Sequence, residues 1–225
     1  MWESGAAVRR DGGGDGGGSS GPPFVALTKD EVECCLSAIE DTQHLAIFTI
    51  QVELGLSTAE ILGDETVGAR GVFIQDIDSK AMKLKMYYRA DKKSRYTTRE
   101  VPITIKCKRA LKDYLSSMGM DFDDGGELFD ITDRRWRQVL LEVQKKTTIP
   151  KKISALVLRR TAIINMLRSG MKPDEVRRRV GILREQEEFV VYAVAYVLND
   201  PETYDEWIKQ MMLDGLSVGG RSGRV

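Results

Sequence analysis

ISALVLRRTAIINMLRSGMKPDEVRRRVGILREQEEFVVYAVAY, residues 153–196, is the stretch on which the reading of the fold turns. Its periodicity predicts a helix that carries Arg159 and Arg160 on an apolar body, a turn at Ser169-Gly170, a short basic helix, and a helix rich in Val and Tyr. An arginine pair close to a buried tyrosine suggests phosphate chemistry. An ordinary helical subdomain whose arginines solvate its outer face has the same periodicity, so the pattern alone leaves both readings open.

The rest of the chain sets bounds on them. With 225 residues and 42% apolar content, it can bury one sizeable core. No apolar run approaches membrane-spanning length, and the first residues lack the apolar segment of a signal peptide. The expectation is a soluble intracellular protein, in cytoplasm or nucleoid, or in the nucleus of a eukaryotic cell, with no membrane contact. Cys34, Cys35 and Cys107 cannot all pair with one another and form no CxxC, so they read as core thiols, and neither metal nor cofactor is expected.

A formal net charge of zero hides a strong segregation. Residues 134–184 hold fifteen Lys and Arg against Glu142, Asp174 and Glu175, a balance of +12, so the remainder sums to −12. A second basic stretch, 80–99, has eight cations against Asp91. Two such segments folded onto one face would make a surface that tracks nucleic-acid phosphates. With 30% charged residues, a heavily ion-paired surface is the alternative.

In chain order, residues 1–25 are a Gly-rich lead expected to be disordered. Thr28 and Glu31 form a capping box that opens a helix over about 29–40, with Val32, Cys35, Leu36 and Ile39 inward. A helix over about 43–54 is apolar enough to be central, and His44 at its start reads as a capping or surface residue. Gly55 ends it, and Ser57 opens a short third helix. After a flexible loop at 63–71 the period changes to two, predicting strands at 72–77, 82–88 and 97–103, the last two joined by a basic hairpin tip. Helices follow at about 106–118 and 133–145, the latter amphipathic through Trp136, Val139, Leu140 and Val143. Pro201 opens a C-terminal amphipathic helix. The fold class is mainly α with a small three-stranded antiparallel sheet (α+β).

In this order, residues 27–196 resemble the catalytic domain of the tyrosine recombinase, or phage integrase, family. Leu27-Thr28-Lys29-Asp30-Glu31 looks like the family's LTxEE, and residues 54–62, LGLSTAEIL, look like its TGLRxSELL. Arg99-Glu100-Val101-Pro102-Ile103 resembles RxVPL, Leu128-Phe129 matches its LF, and residues 153–161, ISALVLRRT, resemble ITPHxLRRT. The resemblance implies a catalytic-like domain over 26–200, with a helix and tail at 201–225. It also implies a chemistry in which a tyrosine attacks a DNA phosphodiester, two arginines clamp the phosphate, and a lysine and histidines manage protons and charge.

Carried over residue by residue, the resemblance retains three catalytic positions: Arg159 for the second arginine, Lys93 for the hairpin lysine with Lys92 as its neighbour, and Tyr192 for the nucleophile, with Tyr196 a turn later as the weaker candidate. Ser57 stands where the first arginine is expected, Leu156 where the HxLR histidine is expected, and Ile182 where a histidine or tryptophan follows the glycine. One lost donor costs ~10²–10³ in rate, and lost acid–base catalysis ~10²–10⁴. The implied protein is therefore a DNA-binding module derived from a recombinase, with a degenerate site and without efficient cleavage. Lys92, Lys93, Lys151, Lys152, Arg159, Arg160 and Arg178 are its expected contacts to double-stranded or branched DNA. Arg70, in the loop after the Ser57 helix, is a candidate replacement for the missing guanidinium. An active recombinase using Tyr192 is one alternative. A structural protein without nucleic acid is another, and the C-terminal helix could dock on a second copy or on a recombinase partner.

Overall fold

The computed structural model of the chain describes residues 25–88 and 95–182. The Gly-rich lead, the expected hairpin tip with Lys92 and Lys93, and the helices expected around Tyr192 and Tyr196 and from Pro201 lie outside the described residues.

Helix α1 (Lys29–Ala38) starts at the capping box: Thr28 Oγ1 accepts from the Glu31 N–H at 3.2 Å, and Glu31 Oε2 accepts from the Thr28 N–H at 2.7 Å. Helix α2 (Thr42–Leu54) is capped by Asp41, and eight of its thirteen residues are buried, which makes it the central rod of the domain. It ends at Gly55, whose φ of 70° is left-handed. A Cβ on Gly55 would meet Val180 Cγ1 at 2.8 Å and Ala162 Cβ at 3.3 Å. The glycine therefore terminates α2 and also admits two later helices against it. Helix α3 (Thr58–Leu62) is capped by Ser57 in a second capping box with Glu60.

Three strands form an antiparallel sheet in the order β1 (Ile77–Asp78), β2 (Lys83–Tyr88), β3 (Thr97–Pro102). In β2, Leu84 and Met86 face the core while Lys83 and Lys85 face outward, the alternation expected of a half-buried strand. The first strand is much shorter than the reading of 72–77. Residues Ile74–Asp76 form a 3₁₀ turn instead, because Asp76 Oδ2 accepts from the Phe73 N–H at 2.9 Å and pairs with the Arg70 guanidinium. A side-chain acceptor that serves the backbone locally competes with ladder pairing.

The remaining helices are α4 (Ile105–Ser117), α5 (Asp133–Lys146), α6 (Ala155–Arg168) and α7 (Pro173–Val180). The first three are capped by the hydroxyls of Thr104, Thr132 and Ser154. The main core gathers around α2 and includes Trp136 of α5, whose Nε1 donates to Gln51 Oε1 at 2.9 Å. Gln51 Nε2 in turn donates to Thr58 Oγ1 at 3.1 Å, so one buried amide joins α2, α3 and α5. A second apolar cluster lies between the later half of α6 and α7, through Ile163, Ile164, Leu167, Val176 and Val180. Helix α6 contributes Val157 and Leu158 to the first cluster and these later residues to the second, and Arg159 sits where the two meet. Among the described residues no helix is long and apolar enough to cross a membrane.

Candidate functional site

The junction between the two clusters is organised by one carboxylate. Ser57 ends the Gly55-Leu56-Ser57 turn, and its N–H and hydroxyl both donate to Glu60 Oε2, at 2.8 and 2.9 Å. The Nη1 of Arg159 donates to the same oxygen at 3.1 Å, from α6. The Nη2 of Arg99, from β3, pairs with Glu60 Oε1 at 2.6 Å. Burial alone would push the Glu60 carboxyl up. The Arg99 and Arg159 charges, with the Ser57 N–H, outweigh burial and hold it below the usual carboxylate range. For Arg159 burial wins and lowers its pKa, although the guanidinium stays charged.

Both arginines also reach the end of α7. The Nη2 of Arg159 donates to the Val180 carbonyl at 2.9 Å, and the Nε of Arg99 donates to the Arg179 carbonyl at 3.3 Å. These carbonyls belong to the last turn of α7, where the helix leaves its acceptors unused and its dipole favours cations. The arginine pair thus ties α3, β3, α6 and α7 together. Gly181 follows at φ 70°, and a Cβ there would run into the Arg99 guanidinium, 2.5 Å from its Cζ.

The residues singled out in the sequence separate into three groups. Arg159 and Ser57 lie at the Glu60 carboxylate. Leu156 lies on α6 three residues before Arg159 and is half exposed, while Ile182 is buried in the second cluster. Neither offers a proton donor or acceptor on its side chain. Arg160 is half-buried, Lys152 is exposed, and Lys151 pairs with Glu31 of α1 at 2.7 Å. Arg178 is exposed beside Asp174 at 3.6 Å. Lys92, Lys93 and Tyr192 lie outside the described residues. The Arg70 guanidinium is engaged elsewhere, paired with Asp76 and stacked 3.8 Å from the centre of the Tyr87 ring.

Two residues of this cluster, Arg99 and Glu60, were visible in the sequence only as parts of the stretches that resemble RxVPL and TGLRxSELL. The signal that connects them is unlike charge on elements far apart in the chain, which has no local signature. Two other readings need adjustment. His44 is no simple surface residue: it packs beside the Trp136 ring, 6.4 Å between centroids, with Asp41 at 3.5 Å. Of the three thiols, Cys35 and Cys107 are buried and pushed up to about 12 by burial, whereas Cys34 is exposed. Among the described residues no group of His, Cys, Asp and Glu could hold a metal ion.

No protein-family profile matches the chain, and no curated protein matches its sequence. Solved structures do match its fold. The XerA recombinase is 22% identical with a TM-score of 0.57, over 91% of this chain and 68% of its own. The XerH site-specific recombinase bound to difH substrate is 15% identical with a TM-score of 0.54, over 75% of this chain and 49% of its own, so the chain spans about half of that protein. The catalytic domain of bacteriophage HP1 integrase is 16% identical with a TM-score of 0.54, over 88% of this chain and 99% of its own. The fold is that of a tyrosine recombinase catalytic domain.

Proposed function

We propose that the chain is a DNA-binding protein built on a tyrosine recombinase catalytic fold, which holds double-stranded or branched DNA through its phosphates and lacks efficient strand cleavage. The observation that carries this reading is the position of Arg159. The basic segments 80–99 and 134–184 meet at the Glu60 carboxylate that Arg159 shares with Arg99, and Arg99 also donates to the Arg179 carbonyl. Around that meeting point Ser57 serves as a helix cap, and Leu156 and Ile182 supply no acid or base. What remains is charge for a backbone without the groups that would move protons. The fold is shared with a XerH recombinase described as bound to its DNA substrate, which supports the same class of ligand.

Lys152 and Arg178 are exposed on this basic half and serve as direct phosphate contacts. Lys92, Lys93, Lys151 and Arg160 complete the contact surface in this reading, and an intracellular, DNA-associated location follows from it. A cleaving enzyme that uses Tyr192 as nucleophile, with Arg159 and Lys93 on the phosphate, is the second reading. It is favoured by the second guanidinium beside Arg159, that of Arg99.

The test combines two measurements on the full chain. Fluorescence anisotropy with a duplex and with a four-way junction, between 50 and 200 mM salt, should give affinities that fall steeply with salt, about 10³-fold for six phosphate contacts. A nicked suicide substrate should yield no covalent adduct. An adduct lost in Tyr192→Phe would establish the cleaving enzyme instead. Salt-independent or undetectable DNA binding would leave a structural role docking on a second copy or a protein partner.

A further inference from the structure

We infer that Gln144 is a positioning residue for DNA binding: its amide holds open the arch of residues 149–153, from which Lys152 meets a phosphate. The inference rests on the DNA-binding reading, and it adds a neutral residue that no motif and no count of charges singled out.

The arch is the sequence IPKKI between α5 and α6. Ile149 and Ile153 are buried in the main core and anchor its two feet. Pro150 has no N–H to donate and disfavours helical backbone at Ile149, so no new helical turn starts there. In a helical turn the Ile153 N–H would bond the Ile149 carbonyl directly and draw 150–152 inward. One side chain stands between the two groups instead. Gln144 Oε1 accepts from the Ile153 N–H at 2.6 Å, and its Nε2 donates to the Ile149 carbonyl at 2.9 Å. The amide has only this orientation, since an N–H can face only its oxygen and a carbonyl only its nitrogen. Both feet are thereby satisfied while the width of an amide keeps them apart.

The crown of the arch is fixed on one side only. Lys151 reaches α1, where its Nζ pairs at 2.7 Å with Glu31 Oε2, the oxygen that also accepts from the Thr28 N–H. Lys152 is exposed, and among the described residues no carboxylate pairs with it. A lysine on a free loop gives up both backbone and side-chain freedom when it meets a phosphate. An arch held at both feet and at Lys151 has given up the backbone share beforehand, which leaves more of the contact as affinity. Gln144 therefore strengthens binding without touching DNA. A residue that served stability alone would act equally with and without Lys152.

The experiment uses the full chain and a duplex of about 20 base pairs, with anisotropy read between about 50 and 200 mM salt and melting temperature as a separate measure of folding. Four variants are compared with the parent. Gln144→Met keeps the length of the side chain and loses both bonds, and Gln144→Asn keeps an amide too short to span both feet. Lys152→Ala removes the cation, and the double Gln144→Met/Lys152→Ala removes both. Neither change at position 144 alters charge, so a change in salt slope there arises only through a cation that has moved. Lys152→Ala should weaken binding roughly eightfold near 100 mM salt and lower the slope by about 0.9. Gln144→Met should give most of that loss and Gln144→Asn part of it, while the double variant loses no more than Lys152→Ala alone. Gln144→Asn decides if Gln144→Met does not fold. Parent-like binding by the folded position-144 variants overturns the positioning role and leaves DNA binding intact. A loss at Gln144 that adds in full to the loss at Lys152 does the same, because it marks a general loosening. Parent-like binding by Lys152→Ala also sinks the inference, since the arch then presents no contact. If the parent itself binds no duplex, both inferences fall.

Discussion

Gly181 lies under the guanidinium of Arg99 so closely that a Cβ would sit 2.5 Å from Cζ. Gly170 has the same left-handed backbone, φ 85°, with nothing within 4 Å of a Cβ placed there. The pair separates strain from collision. Gly170→Ala should cost about 1 kcal/mol through backbone strain alone. Gly181→Ala should cost about 2 kcal/mol more, since Arg99 must leave Glu60 and a buried charge loses a partner. Urea titration of the two variants checks this, and equal losses would refute the collision.

Stability should fall in acid through Glu60. Its carboxyl, pushed up by burial but brought below the usual range by the Arg99 and Arg159 charges, is more acidic folded than unfolded. The unfolded chain therefore binds the proton more readily, and stability rises with pH across that window. The contribution is fully present above the ordinary glutamate pKa of about 4.3 and is lost as pH falls through the folded value. Unfolding free energies between pH 3 and 6 should show the rise, and Glu60→Gln should flatten part of it. A profile as steep in the variant as in the parent would show that Glu31 and the exposed carboxylates account for it.

The Gln51 amide should act as a unit with its two partners. It accepts from Trp136 Nε1, both side chains being fully buried, and donates to the half-buried Thr58 Oγ1. Gln51→Leu would leave the indole N–H buried without an acceptor, at about 1–3 kcal/mol. In a double-mutant cycle with Trp136→Phe, the double variant should lose less than the sum of the singles, by about 1 kcal/mol. Additive losses would mean the two side chains are energetically independent.

Neighbouring lysines should behave differently. Lys152→Ala removes one exposed phosphate contact and should lower the slope of log affinity against log salt by about 0.9, leaving the melting temperature unchanged. Lys151→Ala also cuts the link to Glu31 of α1, a pair 2.7 Å apart and only partly exposed, so it should lower both slope and melting temperature. If Lys152→Ala leaves the slope as it was, Lys152 is not a DNA contact.

Local rules carried most of the secondary structure. Thr28, Ser57, Thr104, Thr132 and Ser154 cap helices because a short side chain reaches an N–H two or three residues on, which sequence order alone specifies. The strand read at 72–77 failed for a local reason that the β pattern conceals: Asp76 bonds the Phe73 N–H and pairs with Arg70, closing a 3₁₀ turn. Arg70 was a plausible replacement cation by loop length, and that same pair assigns it to Asp76.

By itself the sequence determined the helical architecture with its small sheet, the segregation of charge, and the identity of Arg159, Ser57, Leu156 and Ile182 at positions resembling those of a catalytic site. The first two follow from composition and periodicity, and the last is what the resemblance of ordered motifs to a known family implies. Only the tertiary structure decided what Arg159 is bonded to. Its partners, Glu60 and the Val180 carbonyl, lie 99 and 21 residues away, and Arg99 comes in from a different element altogether. An ion pair between distant elements leaves no periodic trace, because its energy depends on distance in space and on burial, and the packing of α6 and α7 against α2 sets both.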